Sequence, residues 1–320
     1  MYKSYEHCVL CPRRCGVNRL AGERGFCGEG AAARIAACCL HRGEEPPLSG
    51  KNGSGAVFVS GCNLRCVFCQ NRQISHNNVG LELHTENLAA LCRLLHEKGA
   101  ANINIVTGAH AAPALAAGIA RAREQGLGLP VLWNSSGYES PEAVDMVCDT
   151  ADVFLPDLKT LDTALAGSLF NAPDYPAAAQ AAIKKMIASK PLRYAKDGTL
   201  LSGVMVRHLA LPGRLNDSRR VLEWFAENAS GRALFSLMTQ YTPIPEASFD
   251  SGARLDGGLK RPLSSGEYES LVRLLEEFGI EDGYYQEMDG GAACLPDFSR
   301  PQPFPPHLAE SVWHWTEGAP

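Results

Sequence analysis

The feature that most constrains the fold of this chain is a series of short apolar runs, each followed by a stretch with helical periodicity. The runs lie at residues 56–60, 102–107, 130–134, 152–155, 203–208 and 233–237. Each run has the length of a buried strand, and the stretches between them repeat apolar residues at helical spacing. Such alternation is typical of βα units that build a parallel sheet. We therefore predict an α/β fold, a partial (β/α)6 TIM-like barrel.

Polar side chains follow most of these runs, at the edge where α/β barrels carry their active sites. The residues that we single out there are Thr107, Gly108, His110, Asn134, Asp157, Lys159, Arg207 and His208. They include a carboxylate, two cations and an amide. Groups of these types on one rim can hold a charged small molecule. The sequence thus predicts a small-molecule site at this rim.

Three cysteines, Cys62, Cys66 and Cys69, follow the first apolar run with the spacing C-x3-C-x2-C. Three thiolates so close in sequence can bind three irons of a cubane cluster and leave the fourth iron without a protein ligand. The alternative is structural zinc, which needs four ligands, and the next residues add only His76. We therefore favour a 4Fe-4S cluster on this triplet.

A second group of cysteines, Cys8, Cys11, Cys15 and Cys27, lies among Gly, Pro and Arg residues near the N-terminus. This stretch has few large apolar side chains, so we expect a bound metal to order it. Zinc held by all four thiolates and a second iron-sulfur centre are both open interpretations.

The chain divides by composition into three predicted parts. Residues 1–50 form a small cysteine-rich, metal-binding segment, residues 51–285 the barrel, and residues 286–320 a C-terminal tail that packs on the barrel. Residues 44–55 are rich in turn formers and are expected to be a surface connection. The apolar residues of the tail predict a short helix, and Cys294 lies in a predicted loop of unassigned role.

The overall composition argues against several classes of partner. A net charge of −5 and a pI near 6.0 give no reason to expect nucleic acid or an anionic membrane. No signal-peptide pattern opens the sequence and no long apolar run occurs, so we expect a cytoplasmic protein. In such a compartment the 12 cysteines are metal ligands or reduced thiols rather than disulfides.

The triplet, with Phe68 directly before its last cysteine, resembles the signature of the radical S-adenosylmethionine (SAM) superfamily. Further segments resemble the PflX-type group of that superfamily, which is related to the pyruvate formate-lyase activating enzymes. The segments are C-x-L-C-P-x-x-C, S-G-C-N-L-x-C-x-F-C-Q-N, N-I-N-x-V-T, N-S-S-G-Y-E, L-P-D-L-K, V-R-H-L-x-L-P-G and S-L-M-x-Q-Y-x-P. The resemblance implies a 4Fe-4S cluster whose open iron is chelated by SAM. Reductive cleavage of SAM then gives a 5′-deoxyadenosyl radical that abstracts hydrogen.

The same resemblance implies roles for residues of the rim. Asp157 and Lys159 match the D-x-K element near the methionyl end of SAM, and Arg207 and His208 match an element at its ribose and carboxylate side. The activating enzymes carry Gly-Gly-Glu after the second strand, whereas this chain has Thr-Gly-Ala-His at residues 107–110. We expect backbone carbonyls there to receive the SAM ammonium, and His110 either to act on the substrate or to cap a helix.

The chemistry implied by the resemblance also needs partners. An electron donor of the flavodoxin or ferredoxin type would reduce the cluster, and the hydrogen would come from a glycine of a glycyl-radical enzyme or from another substrate. An alternative is a non-catalytic metalloprotein, with iron-sulfur or zinc sites that serve electron transfer or partner binding. It predicts bound metal without affinity for SAM.

Overall fold

The structure is a computed structural model that describes residues 3–244, 257–288 and 295–320. In chain order its strands are β1 (Ala33–His41), β2 (Ser54–Val59), β3 (Leu81–Leu83), β4 (Ile103–Val106), β5 (Val131–Ser135), β6 (Val153–Pro156), β7 (Arg193–Tyr194), β8 (Leu200–Leu209), β9 (Leu234–Met238), β10 (Gly283–Tyr285) and β11 (Ala309–His314). Its α-helices are α1 (Pro46–Ser49), α2 (Arg72–Ser75), α3 (Thr85–Glu97), α4 (Ala112–Glu124), α5 (Pro141–Val147), α6 (Thr163–Phe170), α7 (Tyr175–Ser189), α8 (Leu215–Asn228) and α9 (Ser265–Glu277).

The main sheet has the order β10-β9-β8-β6-β5-β4-β2-β1-β11, and strands β2 to β10 along this path are parallel. All six predicted strands are present, and the largest difference is that β8 begins at Leu200 rather than at residue 203. In the described residues β10 and β11 end the path without pairing to each other, so the barrel is partial. The predicted fold class is confirmed.

The two ends of the chain add antiparallel strands that the sequence pattern did not reveal. β1 pairs with β2, and β11 pairs with the other edge of β1. The short helix predicted in the tail is wrong, because residues 309–314 form β11 and only Trp315–Glu317 make a 3-10 turn. β1 thus joins the predicted cysteine-rich segment to the barrel sheet. The boundaries at residues 50 and 285 stay predictions, and Cys294 lies outside the described residues.

The helices cover one face of the sheet with their apolar sides. On α3 the buried residues Leu88, Leu91 and Leu95 share one face, as helical spacing requires. The residue at the N-cap position of α3 is His84, without a side-chain cap. Ser140 does cap α5, where its hydroxyl accepts a hydrogen bond from the amide of Ala143.

The opposite face of the sheet, called the inner face below, surrounds the lumen of the barrel. Near β2 the lumen is filled by Phe298 and Phe304 of the tail, whose rings lie 5.3 and 5.1 Å from the ring of Phe58. Near β5 to β9 it is filled by Leu48 of α1, which is fully buried and packs among inner-face residues of those strands. The prediction that residues 44–55 form a surface connection is therefore wrong in this part. These residues close the lumen from the N-terminal ends of the strands, where Asn102 Nδ2 donates to the carbonyl of Leu48.

Candidate active site

The cysteine triplet lies on the loop between β2 and α2, at the C-terminal rim of the sheet. Cys62 and Cys66 are buried, and Cys69 is partly buried. The amide of Leu64 donates to Cys62 Sγ over 3.3 Å, and the hydroxyl of Ser75 donates to Cys69 Sγ over 3.2 Å. Donors aimed at sulfur stabilise thiolates bound to a metal and tune an iron-sulfur cluster. The environment of the three thiols therefore fits a bound cluster.

The path of this loop depends on one glycine. Gly61 has a φ of +78°, and a Cβ at this position would lie 2.5 Å from Glu29 Cγ and 3.0 Å from His110 Nε2. Only glycine combines this backbone conformation with so close an approach. The turn at Gly61 directs the chain from β2 into the cysteine loop.

The Asp157–Lys159 pair, which follows β6, lies beside the triplet. Lys159 Nζ makes a salt bridge with Asp157 Oδ2, and both side chains are largely buried. Burial by itself lowers the pKa of Lys159, but the Asp157 carboxylate and the Cys66 thiol raise it well above its usual range. Burial raises the pKa of Cys66, and Lys159 opposes that effect. The structure thus brings the Asp157–Lys159 ion pair to the predicted cluster site, with Lys159 acting on Cys66.

Tyr175, the first residue of α7, organises this part of the rim, and the sequence analysis missed it. Its hydroxyl accepts from the amide of Lys159 over 2.9 Å and lies 2.9 Å from the carbonyl oxygens of both Ser136 and Asp157. A Cβ at Gly137 would lie 2.3 Å from the Asp157 carbonyl, so the loop after β5 packs directly on the loop after β6. Tyr175 opens an alanine-rich helix, where the sequence signals only packing.

Thr107, Gly108 and Asn134 meet at the ends of β4 and β5. Thr107 has a φ of 66°, which is rare for a β-branched residue, and its amide donates to the carbonyl of Asn134 over 2.8 Å. Strained backbone of this kind concentrates at functional sites. A Cβ on Gly108 would lie 2.6 Å from Ile105 Cγ2, so the packing requires glycine there. The structure therefore brings these three predicted residues together.

Arg207 and His208 are neighbours on β8, and the structure places them on opposite faces. Arg207 lies on the inner face, where its guanidinium bonds to the carboxylates of Glu44 and Glu45. His208 lies on the helix side, where Nδ1–H donates to the carbonyl of Leu158 and Nε2 accepts from the hydroxyl of Ser218. Its ring is buried with both nitrogens engaged, so the structure does not bring it to the predicted ligand site. Burial also lowers the pKa of His208.

His110 is buried and does not cap a helix, and its role toward a substrate stays a prediction. Its Nε2–H donates to the carbonyl of Ser60 over 2.7 Å, and burial, together with Arg19, lowers its pKa to about 4. The residue at the N-cap of α4 is Ala111, without a side-chain cap. His110 instead packs between the cysteine loop and the N-terminal segment.

The four N-terminal cysteines surround a small cavity of about 20 Å³ that Asn63 and His110 also line. Cys15 is exposed, whereas the other three thiols are partly buried. Burial raises the pKa of Cys11 to about 12, and Asn63 lowers it by a hydrogen bond. This quartet therefore lies directly beside the residue that follows Cys62.

Within residues 3–244, 257–288 and 295–320, no three His, Cys, Asp or Glu side chains converge as they would around a single metal ion. This holds for the triplet and for the quartet alike. A cubane cluster binds each cysteine to a different iron, so its ligands need not meet at one point. None of the helices in these ranges combines the length and apolar character that a membrane span needs.

Comparison with known proteins agrees with this arrangement. Residues 56–191 match the model of the Radical SAM superfamily. The chain is 27% identical over 286 residues to the uncharacterized protein MJ0674 of Methanocaldococcus jannaschii, a match that covers 87% of this chain and 76% of that protein.

Two solved structures are similar at low sequence identity. Streptococcus suis SuiB bound to S-adenosylmethionine has a TM-score of 0.48 at 12% identity, with 71% of this chain and 48% of SuiB covered, so the chain spans about half the length of SuiB. A domain of a pyruvate-formate lyase-activating enzyme from Bacteroides vulgatus has a TM-score of 0.37 at 14% identity, with 55% and 91% covered.

The family match supports a radical SAM enzyme, with the matched region running from β2 to beyond α7. The superfamily implies a 4Fe-4S cluster and SAM as cofactors. The triplet and the Asp157–Lys159 pair both lie inside the matched region.

Proposed function

We propose that this protein cleaves SAM reductively on a cluster held by Cys62, Cys66 and Cys69, and that the radical produced abstracts hydrogen from a substrate. The observation that carries the proposal is the position of the buried triplet next to Lys159, on the rim of a partial barrel. When bound, the cluster would supply the electron that breaks the sulfonium bond. The chain itself would hold the cluster, orient SAM and exclude water.

The rim offers groups that match the charges of SAM. Lys159 can pair with the SAM carboxylate, and the strained backbone at Thr107 can direct the carbonyl oxygens of Thr107 and Gly108 to the ammonium. Tyr175 would act as a positioning residue, because it fixes the backbone of both Lys159 and Asp157. In our proposal Asn134 completes this pocket. Arg207 contributes from the inner face of the sheet, and His208 stabilises β8 from the helix side.

The proposal extends to the source of the hydrogen atom. The sequence segments that resemble the activating enzymes support a glycine of a glycyl-radical enzyme as the substrate, with a flavodoxin or ferredoxin as the electron donor. The Thr-Gly-Ala-His sequence at residues 107–110 departs from their Gly-Gly-Glu, so a different acceptor for the SAM ammonium is part of the proposal.

The test is anaerobic reconstitution with iron and sulfide, reduction with dithionite, and measurement of 5′-deoxyadenosine. We expect SAM-dependent formation of this product and a change in the electron paramagnetic resonance spectrum of the reduced cluster when SAM binds. A fully loaded cluster that binds no SAM, or that binds SAM without cleaving it, would overturn the proposal.

A second experiment addresses the substrate. A peptide with an α-deuterated glycine in a glycyl-radical loop is incubated with the reduced protein and SAM. Transfer of deuterium into 5′-deoxyadenosine would support the activating role. SAM cleavage without deuterium transfer from the peptide or from the intact loop domain would contradict that role and leave the radical SAM activity standing.

A further inference from the structure

A cluster of buried charged and polar side chains lies in the lumen, below the rim. Arg207 Nε donates to Glu45 Oε1 over 3.0 Å, and Arg207 Nη2 lies 2.5 Å from Glu44 Oε2. Asn104 on β4 donates from Nδ2 to Glu44 Oε1 over 3.2 Å. The side chains of both glutamates are only 10% exposed. We call Glu44, Glu45 and Asn104 the lumen floor.

We propose that the lumen floor binds a protonated amine of the substrate. Only the identification of the ligand as the substrate rests on the proposed function. A glycine inside a protein chain carries no ammonium, so in a glycyl-radical enzyme the amine would belong to a side chain of that protein. Amine binding itself does not depend on SAM cleavage and can be measured without it.

The charges at the floor are unbalanced. Two carboxylates face one guanidinium. Burial opposes ionisation of Glu44, but Arg207, with a further contribution from His41, holds its pKa at about 2, well below the usual range. Burial likewise opposes the charge of Arg207, and Glu45 and Glu44 raise its pKa. The two carboxylates of the floor therefore carry one more charge than the single guanidinium of Arg207 neutralises. A buried excess of negative charge favours a cationic ligand.

Among the described residues, His41, Tyr284 and the Asp157–Lys159 pair are further titratable groups near the floor or at the rim above it. His41 Nδ1 lies 3.4 Å from Glu44 Oε1 and adds a positive charge only when protonated. Burial and the Glu45 carboxylate raise the pKa of Tyr284, which keeps its hydroxyl neutral. The Asp157–Lys159 pair at the rim is internally balanced. None of these groups carries a fixed positive charge that offsets the second carboxylate.

The floor also contains a hydrogen-bond acceptor without a donor. Asn104 is completely buried, its Nδ2 is bonded to Glu44, and its Oδ1 has no hydrogen-bond partner. A buried carbonyl oxygen without a donor costs free energy, so native proteins rarely leave one. A ligand with several N–H donors would satisfy Asn104 Oδ1 and the carboxylates at once. An ammonium has three such donors.

Two other cations fit less well. The floor does not have three ligands converging for a metal ion within the described residues, and Arg207 already occupies the carboxylates on one side. The ammonium of SAM is expected at the cluster on the rim. Asn104 precedes Thr107 by three strand positions, which places it about 10 Å below the rim. A second molecule, the substrate, is the occupant that this depth favours.

The test uses n-butylammonium as the probe and n-butanol as its uncharged counterpart. Binding to the reconstituted protein is followed by calorimetry and by the shift of the thermal unfolding midpoint. We expect n-butylammonium to bind and to raise the unfolding midpoint. The affinity for n-butanol should be at least roughly tenfold lower. Equal effects of the two probes, or no effect of either on the wild-type protein, would overturn the proposal.

Variants then locate the site. Glu44→Gln removes one carboxylate and should lower the affinity for n-butylammonium at least roughly tenfold. Asn104→Leu should lower this affinity as well. Glu86→Gln, on the exposed side of α3, is the matched control and should leave binding unchanged. Cluster content and circular dichroism verify the fold of each variant. Unchanged binding in folded Glu44→Gln would contradict the proposal, and the wild-type comparison remains decisive if that variant does not fold.

A last experiment distinguishes the two molecules that could supply the amine, the substrate and SAM. S-adenosylhomocysteine carries the same ammonium as SAM and is not cleaved. At saturation it should change the affinity for n-butylammonium by no more than about twofold, because the two ligands bind at different depths in the lumen. Complete loss of n-butylammonium binding would show that the floor belongs to the SAM site and would overturn the assignment to a substrate. Failure of SAM cleavage, in contrast, affects only the proposed function.

Discussion

The two cysteine groups of this protein lie side by side but are held in place by different means. The triplet follows β2 directly, and its position is set by the parallel sheet and by the turn at Gly61. The quartet lies before β1, on a segment whose regular structure within residues 3–32 is limited to two 3-10 turns. The sheet therefore fixes the location of the triplet, whereas individual side chains fix that of the quartet.

Two arginines make most of these side-chain contacts. Arg13 donates to the carbonyls of Asn63 and Phe170 over 3.0 and 2.8 Å, and its guanidinium lies 3.9 Å from the centre of the Phe26 ring. Arg19 donates to the carbonyls of Gly30 and His110 over 2.8 and 2.6 Å. We therefore predict that the triplet can bind a cluster before the quartet binds any metal, because the sheet positions the triplet.

The largest expected effect separates the two groups directly. Cys66→Ala removes one ligand of the proposed cluster, so 5′-deoxyadenosine formation should fall at least roughly a thousandfold. Cys11→Ala should keep the reduced-cluster spectrum and most SAM cleavage, and should lose metal or stability in the N-terminal segment. Iron analysis and product assay on both variants check this. Equal losses of cluster and cleavage in the two proteins would contradict the division of roles.

The next effect concerns the cation beside the triplet. Lys159→Met removes the positive charge near Cys66 and the partner proposed for the SAM carboxylate, so we expect about a 100-fold loss in SAM affinity or cleavage. The quartet should keep its metal, because the contacts of Arg13 and Arg19 are unchanged. Lys185→Met, at an exposed salt bridge on α7, is the matched control. A Lys159→Met protein that binds and cleaves SAM normally would refute this role.

Most of the barrel could be predicted from the sequence, because strand and helix patterns are local. All six predicted strands are present, and the triplet lies at the end of the first of them. β1 was missed because residues 1–50 were assigned to a cysteine-rich segment with few large apolar side chains, and β11 could not be predicted because its pairing with β1 joins the two ends of the chain. The helix predicted in the tail failed for the same reason.

The candidate site was predicted in part, and its failures have physical causes. Arg207 and His208 were expected to act together, but neighbouring strand residues point to opposite faces. Glu44 and Glu45 were assigned to a surface connection because Pro and Gly residues surround them. Only the tertiary fold shows that this connection enters the lumen and meets Arg207.

A smaller effect is expected on the side of the quartet. Arg13→Gln removes charge-assisted hydrogen bonds from a partly exposed guanidinium, so the unfolding free energy should fall by about 2 kcal/mol. Hydrogen exchange should increase in residues 3–32, while the cluster on the triplet keeps its spectrum. Arg14→Gln, an exposed neighbour, is the control and should change little. Cluster loss in Arg13→Gln equal to that in Cys66→Ala would show that the triplet does depend on the N-terminal segment.

The smallest effect is expected at Asn63, the residue that touches both groups. Its Nδ2 donates to the carbonyl of Tyr138 over 2.7 Å, and its side chain also bonds to Cys11. Asn63→Ala leaves that buried carbonyl without a donor and should cost about 1 kcal/mol of unfolding free energy. Asn52→Ala, which removes an exposed side-chain bond to Gly99, should cost less. Because Asn63 follows Cys62 and contacts Cys11, its loss should alter the spectra of both metal sites slightly. A change confined to one site would mean that the two groups are neighbours without being coupled.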